Sequence, residues 1–223
     1  MMDSGIYAFF TIGYVILLLM GFYRANQTGL FTLGNLLVFV TMGLVYDNGV
    51  IAIGKWIGSG SFLEKLSFYR FLFHALFTPM LVLFSYYVIR ESGVRWAKSK
   101  SAKRSFIAFT VLLIVLEIVT ETKDVKLKVE EKFGALRYVN AESGGPPLMV
   151  LITIIPLLAA GFYILKRQHW IWMLAGAAIM TAGSAIPLEL NSTAVTNAFE
   201  LILLISLWAT KFYLDQKQRG VEV

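Results

Sequence analysis

Seven apolar runs divide this sequence, at residues 6–23, 30–53, 66–89, 105–120, 147–165, 170–187 and 194–213. Each is close to the roughly 20 residues that a helix needs to cross the ~30 Å hydrocarbon core of a bilayer, the fourth run being the shortest. Lipid offers no water to an unpaired backbone N–H or C=O, so runs of this kind fold as helices whose backbone bonds are all internal. The expected fold is therefore an all-α membrane protein of seven transmembrane helices, forming a single domain over residues 1–223. Composition agrees: 57% of the residues are hydrophobic and 15% charged, against about 25% charged in soluble domains.

The ends of the runs carry Tyr23, Trp56, Tyr69, Trp96, Trp170 and Tyr213, the residues that settle at the membrane–water interface. Pro79, Pro156 and Pro187 fall within or at the end of runs, where membrane helices tolerate kinks. The first run lacks the basic leader and small-residue cleavage site of a signal peptide, so it reads as a retained helix. There are no cysteines, which excludes disulfides and thiolate chemistry. The net charge of +6 needs no nucleic-acid partner, because Lys and Arg collect in the cytoplasmic loops of membrane proteins.

Those basic residues orient the chain. With the N-terminus outside, twelve Lys and Arg fall on the inner side and seven on the outer, and Arg70 lies within a run. The stretch 90–104 alone holds Arg90, Arg95, Lys98, Lys100, Lys103 and Arg104. N-terminus outside and C-terminus inside is the arrangement that positive-inside bias predicts, and seven crossings supply its parity. A bacterial or archaeal cytoplasmic membrane fits the missing cysteines and the compact loops.

Five ionisable groups lie inside the runs: Asp47, Arg70, His74, Glu117 and Glu200. A charge in the bilayer costs about 2.5–3.5 kcal/mol on insertion scales, which makes each a candidate for function. The orientation places Asp47 ~9 Å, Arg70 ~6 Å, His74 ~12 Å and Glu200 ~9 Å below the outer surface, with Glu117 near the outer end of its run. The inner halves of the runs carry almost no ionisable group. Arg70 and His74 share a helix face at i,i+4, as do Asn197 and Glu200 at i,i+3. Asp47, Glu117, Glu200 and His74 are thus the candidate catalytic residues of a single polar site, and Arg70, Asn48 and Asn197 its candidate substrate-binding residues. The plain alternative is that Arg70 neutralises a carboxylate and His74 is a packing residue.

The outer loop, 121–146, contains Val125 to Glu130 with period-2 alternation, a turn at Lys132-Phe133-Gly134 and a second alternating stretch, Ala135 to Val139. An extracytoplasmic β-hairpin between the fourth and fifth helices follows. Arg137 and Tyr138 would reach the pocket mouth from it and bind an anionic headgroup or diphosphate. Ser143 to Pro147 breaks the pattern.

No HExxH, paired-histidine, Walker or Gly-x-Ser-x-Gly motif is present, and Arg70 beside the carboxylates disfavours a cation, so neither metal nor cofactor is expected. A carboxylate held ionised by Arg70 and a second, more isolated one in Glu200 fit general acid–base chemistry. The expected partners are membrane lipids and a small hydrophobic or amphiphilic substrate, making a lipid- or isoprenoid-modifying enzyme the first reading. In outline this resembles the small seven-helix membrane-bound terpene cyclases, which place carboxylates on different helices; the resemblance is architectural and transfers no residue. A proton-coupled transporter or channel and a ligand-binding receptor or sensor are the alternatives. A retinal protein is disfavoured, because Lys211 lies at the inner end of the last run rather than at mid-membrane.

Overall fold

The computed structural model describes residues 2–123, 125–141, 148–185 and 191–220, with the side chains of 148–150 left aside. Its helices are α1 Met2–Thr28, α2 Leu37–Ile57, α3 Ser61–Phe77, α4 Met80–Glu91, α5 Lys100–Glu117, α6 Leu148–Gln168, α7 Trp172–Ala185 and α8 Val195–Gln218. Six spans are long and apolar enough to cross a membrane, with α3 and α4 counting as one from Ser61 to Glu91. The seventh apolar helix, α7, is shorter. The expected Pro187, Glu189 and the Ser143–Pro147 breaker fall outside the described residues. The protein is an all-α, multi-pass membrane protein with one small two-stranded sheet.

Local chemistry explains the irregularities. Pro79 has no N–H to give to the turn before it, and around it the backbone tightens: Leu81 donates to Thr78 O and Val82 to Pro79 O, both at 3.0 Å, the i→i−3 pattern of a 3-10 turn. This is the break between α3 and α4. The end of α5 widens instead, into a π-helical turn over Ile118–Thr122. A 3-10 turn, Leu33–Leu36, leads into α2. Beneath it Asn35 is fully buried and donates to Thr28 Oγ1 and Gly29 O at 2.8 and 2.7 Å, tying the α1–α2 link.

α1 packs along α2, α7 lies between α6 and α8, and α4 joins α6, while α5 rests on α3 and α4 at the periphery. The core is large and apolar: Tyr7, Tyr14, Leu37, Phe84, Met173 and Trp208 are all sealed from solvent. Trp208 fits because Gly21 leaves room for its ring, and its indole N–H donates to Thr41 Oγ1 at 2.9 Å. That bond satisfies a donor whose burial would otherwise cost about 1–3 kcal/mol.

The hairpin forms as the alternation predicts, with shifted limits. β1 is Leu127–Lys132 and β2 is Ala135–Asn140, antiparallel, with Lys132 opposite Ala135. Lys132 therefore ends the strand, and the turn is Phe133–Gly134 alone. Both residues have positive φ, 49° and 87°, the backbone of a two-residue turn that matches strand twist. Phe is a poor choice for that region. The start of α1 holds it there: the Asp3 N–H donates to Phe133 O at 3.1 Å and Ser4 Oγ to Gly134 O at 2.8 Å.

α2 and α3 run four and five residues past their expected limits toward the hairpin, and those extra turns carry it. Leu136 and Tyr138, two apart on β2, turn the same face to Val50 and Leu63. The Gly60 N–H donates to Tyr138 Oη at 3.1 Å. The carbonyl of Leu136 lies where a Cβ on residue 54 would project, so Gly54 is required for the docking. Gly54→Ala should therefore loosen the hairpin, at about 1–3 kcal/mol for forced overpacking. Limited proteolysis in β1 and a lowered unfolding temperature would register it. Gly60→Ala, with nothing within 4 Å of the added methyl, should stay within about 0.5 kcal/mol of the parent.

Candidate functional site

A cavity of about 60 Å³, open on one side, lies between α2, α3, α4, α6, α7 and α8. Its wall has a direction. α2 rises toward the hairpin through Val40, Gly43, Leu44 and Asp47, while α3 descends through Arg70, Phe73, His74 and Phe77 to Leu81 on α4. α8 descends through Glu200, Leu203 and Leu204. On all three walls the charged group stands toward the hairpin and the apolar groups away from it. Ile154, Leu157 and Met180 complete the apolar part, with Thr153 beside them. His74 is the one exposed residue of the lining.

Helix geometry brings four of the five expected ionisable groups here. Asp47 is ten residues, about 15 Å, from the hairpin end of α2, and Arg70 nine residues, about 14 Å, from the start of α3. These are distances along the helices, which extend past the apolar runs at both positions. Arg70 Nε donates to Asp47 Oδ1 at 2.8 Å, a charge-assisted bond of full strength. The guanidinium is 9% exposed and its Nη1 finds no acceptor. The second carboxylate is held far less firmly. Asn197 Nδ2 reaches Glu200 Oε2 at 3.4 Å and Asn48 Oδ1 at 3.3 Å, both well beyond the ~2.9–3.0 Å optimum. Asn48 is anchored by its own Nδ2 to Leu44 O at 3.0 Å. Asp47 is thus held at short range by its partner, and Glu200 only by a long hydrogen bond.

The remaining expected residues lie elsewhere. Glu117 is buried on α5, which contributes nothing to the cavity wall; its Oε2 has no hydrogen-bond partner, and Glu121 is one turn on. Arg137 and Tyr138 do not line the cavity either. Arg137 forms a two-nitrogen fork on Glu130 Oε2, at 3.1 Å from Nε and 2.9 Å from Nη2, and its Nη1 donates to Tyr7 Oη at 3.1 Å. Tyr138 Oη is engaged by Gly60. A β2 side chain that packs on α1 or α2 is turned away from the bundle axis, which alternation alone could not reveal.

Two polar centres carry no motif. Asp3 is fully buried: it accepts from Ser192 Oγ at 2.8 Å and from Thr193 N and Oγ1 at 2.7 Å. It thereby clamps α1 to the segment before α8. Its signal was an acid in a helix's first turn. At the opposite end of the bundle, Lys211 donates to both carboxylate oxygens of Asp215, with both residues buried. The Tyr87 ring lies 5.7 Å from the ammonium. This corrects the expectation that the half of the bundle remote from the hairpin is almost free of ionisable groups. α8 continues five residues past 213, and the i,i+4 spacing of Lys211 and Asp215 was the readable sign. Among the described residues no group of three acidic or histidine side chains could hold a metal ion.

Comparison with protein-family models, with curated proteins and with solved structures finds no match. The site therefore stands on its own geometry within a multi-pass membrane protein.

Outside the bundle, Glu130 accepts Arg137 on one oxygen and Lys132 on the other, the latter at 2.8 Å. Burial raises its pKa, but the hydrogen bonds and charges of Lys132 and Arg137 outweigh that and hold it below the ordinary 4.5. A depressed carboxyl stabilises the fold fully above its unfolded value and loses that contribution as pH falls through the folded one. Protection of β1 from exchange should thus decline only below about pH 4.5, by about 0.2–1 kcal/mol for a pair this accessible. In Glu130→Gln the decline should vanish.

Proposed function

We propose that the central cavity binds a small amphiphile and that the protein is a membrane-embedded enzyme acting on a lipid or isoprenoid by general acid–base chemistry. The carrying observation is the direction of the wall: three helices, two running one way and one the other, all place charge at the hairpin end and apolar side chains beyond it. A head-and-tail molecule fits such a wall with both ends satisfied, whereas a purely polar solute would strand Leu157, Leu203 and Leu204. Within this reading Asp47 and Arg70 orient the head and Glu200 exchanges the proton. His74, one turn from Arg70 on α3, accepts it.

The charge pattern supports an N-terminus outside and a C-terminus inside. The cavity head then lies toward the outer leaflet, beneath the hairpin. A proton-coupled transporter is the second reading, favoured by one observation, the buried Lys211–Asp215 pair at the other end of α8. Against it, the serine and threonine hydroxyls between the two centres bond their own helices: Ser206 to Leu203 O and Thr210 to Ser206 O, both at 2.7 Å. A ligand-binding sensor has no such separate support.

The cysteine-free chain allows both parts to be tested directly. A single Lys128→Cys should react with an impermeant maleimide from outside, and Ser101→Cys only after the membrane is opened; the reverse pattern sinks the orientation. Mass spectrometry of the purified parent should find a copurifying amphiphile. Glu200→Gln should insert and melt like the parent yet process that molecule at least about a hundredfold more slowly, the scale of a lost proton-transfer group. A Glu200→Gln protein that misassembles would make the carboxylate structural.

A further inference from the structure

Resting on the amphiphile reading above, we infer that the head of the ligand is an uncharged hydroxyl, the class being an isoprenoid or fatty alcohol rather than its phosphate ester or amine. The charges facing the cavity decide this. Among the described residues these are two carboxyl groups, Asp47 and Glu200, one guanidinium, Arg70, already spent on Asp47 at 2.8 Å, and one imidazole, His74, a turn further along α3. A phosphate or diphosphate would bring further negative charge beside two carboxyls with no unpaired permanent cation among the described lining residues to meet it, since like charges at this range repel strongly in a medium of low dielectric. The expected source of a second cation, Arg137, is bound by fork to Glu130 and by its third nitrogen to Tyr7.

An ammonium head fails for the opposite reason. The N–H groups of Arg70 Nη1 are buried and lack an acceptor, and they require an incoming lone pair rather than another cation. A hydroxyl answers both sides of the site. Its oxygen accepts from Arg70 Nη1, and its hydrogen donates to Glu200, whose present tie to Asn197 is long at 3.4 Å and readily exchanged. Arg70 Nη1 is covered by its neighbours, so the contact requires those side chains to make way while Nε keeps its bond to Asp47. A buried donor left unanswered costs about 1–3 kcal/mol or more, and an alcohol removes that cost without introducing a charge.

The tail meets an aromatic track. Phe73 and Phe77 stack at 5.7 Å between centroids and both line the cavity. Tyr46, edge-on to Phe73 at 4.9 Å, and Phe39, 6.1 Å from Phe77, back this pair from outside the cavity lining. Flat, polarisable faces in sequence suit the repeated double bonds of an isoprenoid chain.

The test holds the tail constant and changes the head. The full chain in nanodiscs is equilibrated with farnesol, farnesyl diphosphate or farnesylamine, and the retained ligand is quantified by mass spectrometry after subtraction of empty nanodiscs. Farnesol should be retained at least tenfold more tightly than either charged analogue, and Glu200→Gln should weaken it about tenfold without lowering the unfolding temperature. Equal or tighter retention of the diphosphate or the amine overturns the hydroxyl assignment and leaves amphiphile binding standing. Retention of none of the three above empty nanodiscs overturns both. The head-group series uses the parent protein, so the outcome does not depend on any variant folding.

Discussion

The 2.8 Å bond between Arg70 and Asp47 is the interaction on which the interior depends. It joins α2 to α3 at a depth where water cannot screen either charge. Its value lies in the asymmetry of buried pairs: forming one roughly offsets the desolvation of two ions, but removing one partner strands the other at about 3–5 kcal/mol in a fully buried setting. Asp47 keeps a quarter of its side chain exposed toward the cavity, so the pair is anchored on the arginine side and open on the carboxylate side. That half-open state turns an interhelix clasp into the head of a cavity. It also sets the charge that faces Glu200 across the cavity.

The hairpin and the start of α1 form a second interlock, independent of the first. Phe133 occupies a left-handed backbone position that its side chain disfavours, and the strain is absorbed because Asp3 and Ser4 bond the two turn residues. Asp3 also binds Ser192 and Thr193 through its side chain. One acidic residue in the first turn of α1 thus ties three distant parts of the chain, and Arg137 reinforces the same end through Tyr7. A single defect there would release the hairpin, the α7–α8 link and the first helix together.

Apolar length carried most of the fold on its face, because lipid leaves the backbone no alternative to helix. The seven runs, the interruption near Pro79 and the hairpin could be read from residue spacing alone. What spacing could not give was extent. The runs were bounded where apolar character ends, yet α2, α3 and α8 continue through Lys55, Glu64 and Lys217. A helix keeps making backbone bonds after it leaves the hydrocarbon region. That continuation hid Asp215, which seemed to lie in a tail. Glu117 was grouped with the site on depth, and depth is blind to which neighbour a helix faces; α5 packs on the outside of α3 and α4. Four of the five ionisable groups converge because α2, α3 and α8 adjoin around one cavity, a fact of packing that no single helix encodes.

The two charged layers of the bundle differ in a way that bears on mechanism. Lys211 and Asp215 are nearly equal in burial and satisfy one another through both carboxylate oxygens, leaving little for a third party to bind. Their neighbours are hydroxyls bonded within their own helices and a tyrosine ring. The cavity layer is unbalanced instead: among the described residues it has a buried donor without an acceptor and a carboxylate on a long hydrogen bond. Buried polar groups in proteins are ordinarily satisfied, so an unbalanced cluster against an apolar wall marks the place where something from outside completes the set. That imbalance is what supports the cavity head as the candidate site, whereas the Lys211–Asp215 pair is satisfied within α8 itself.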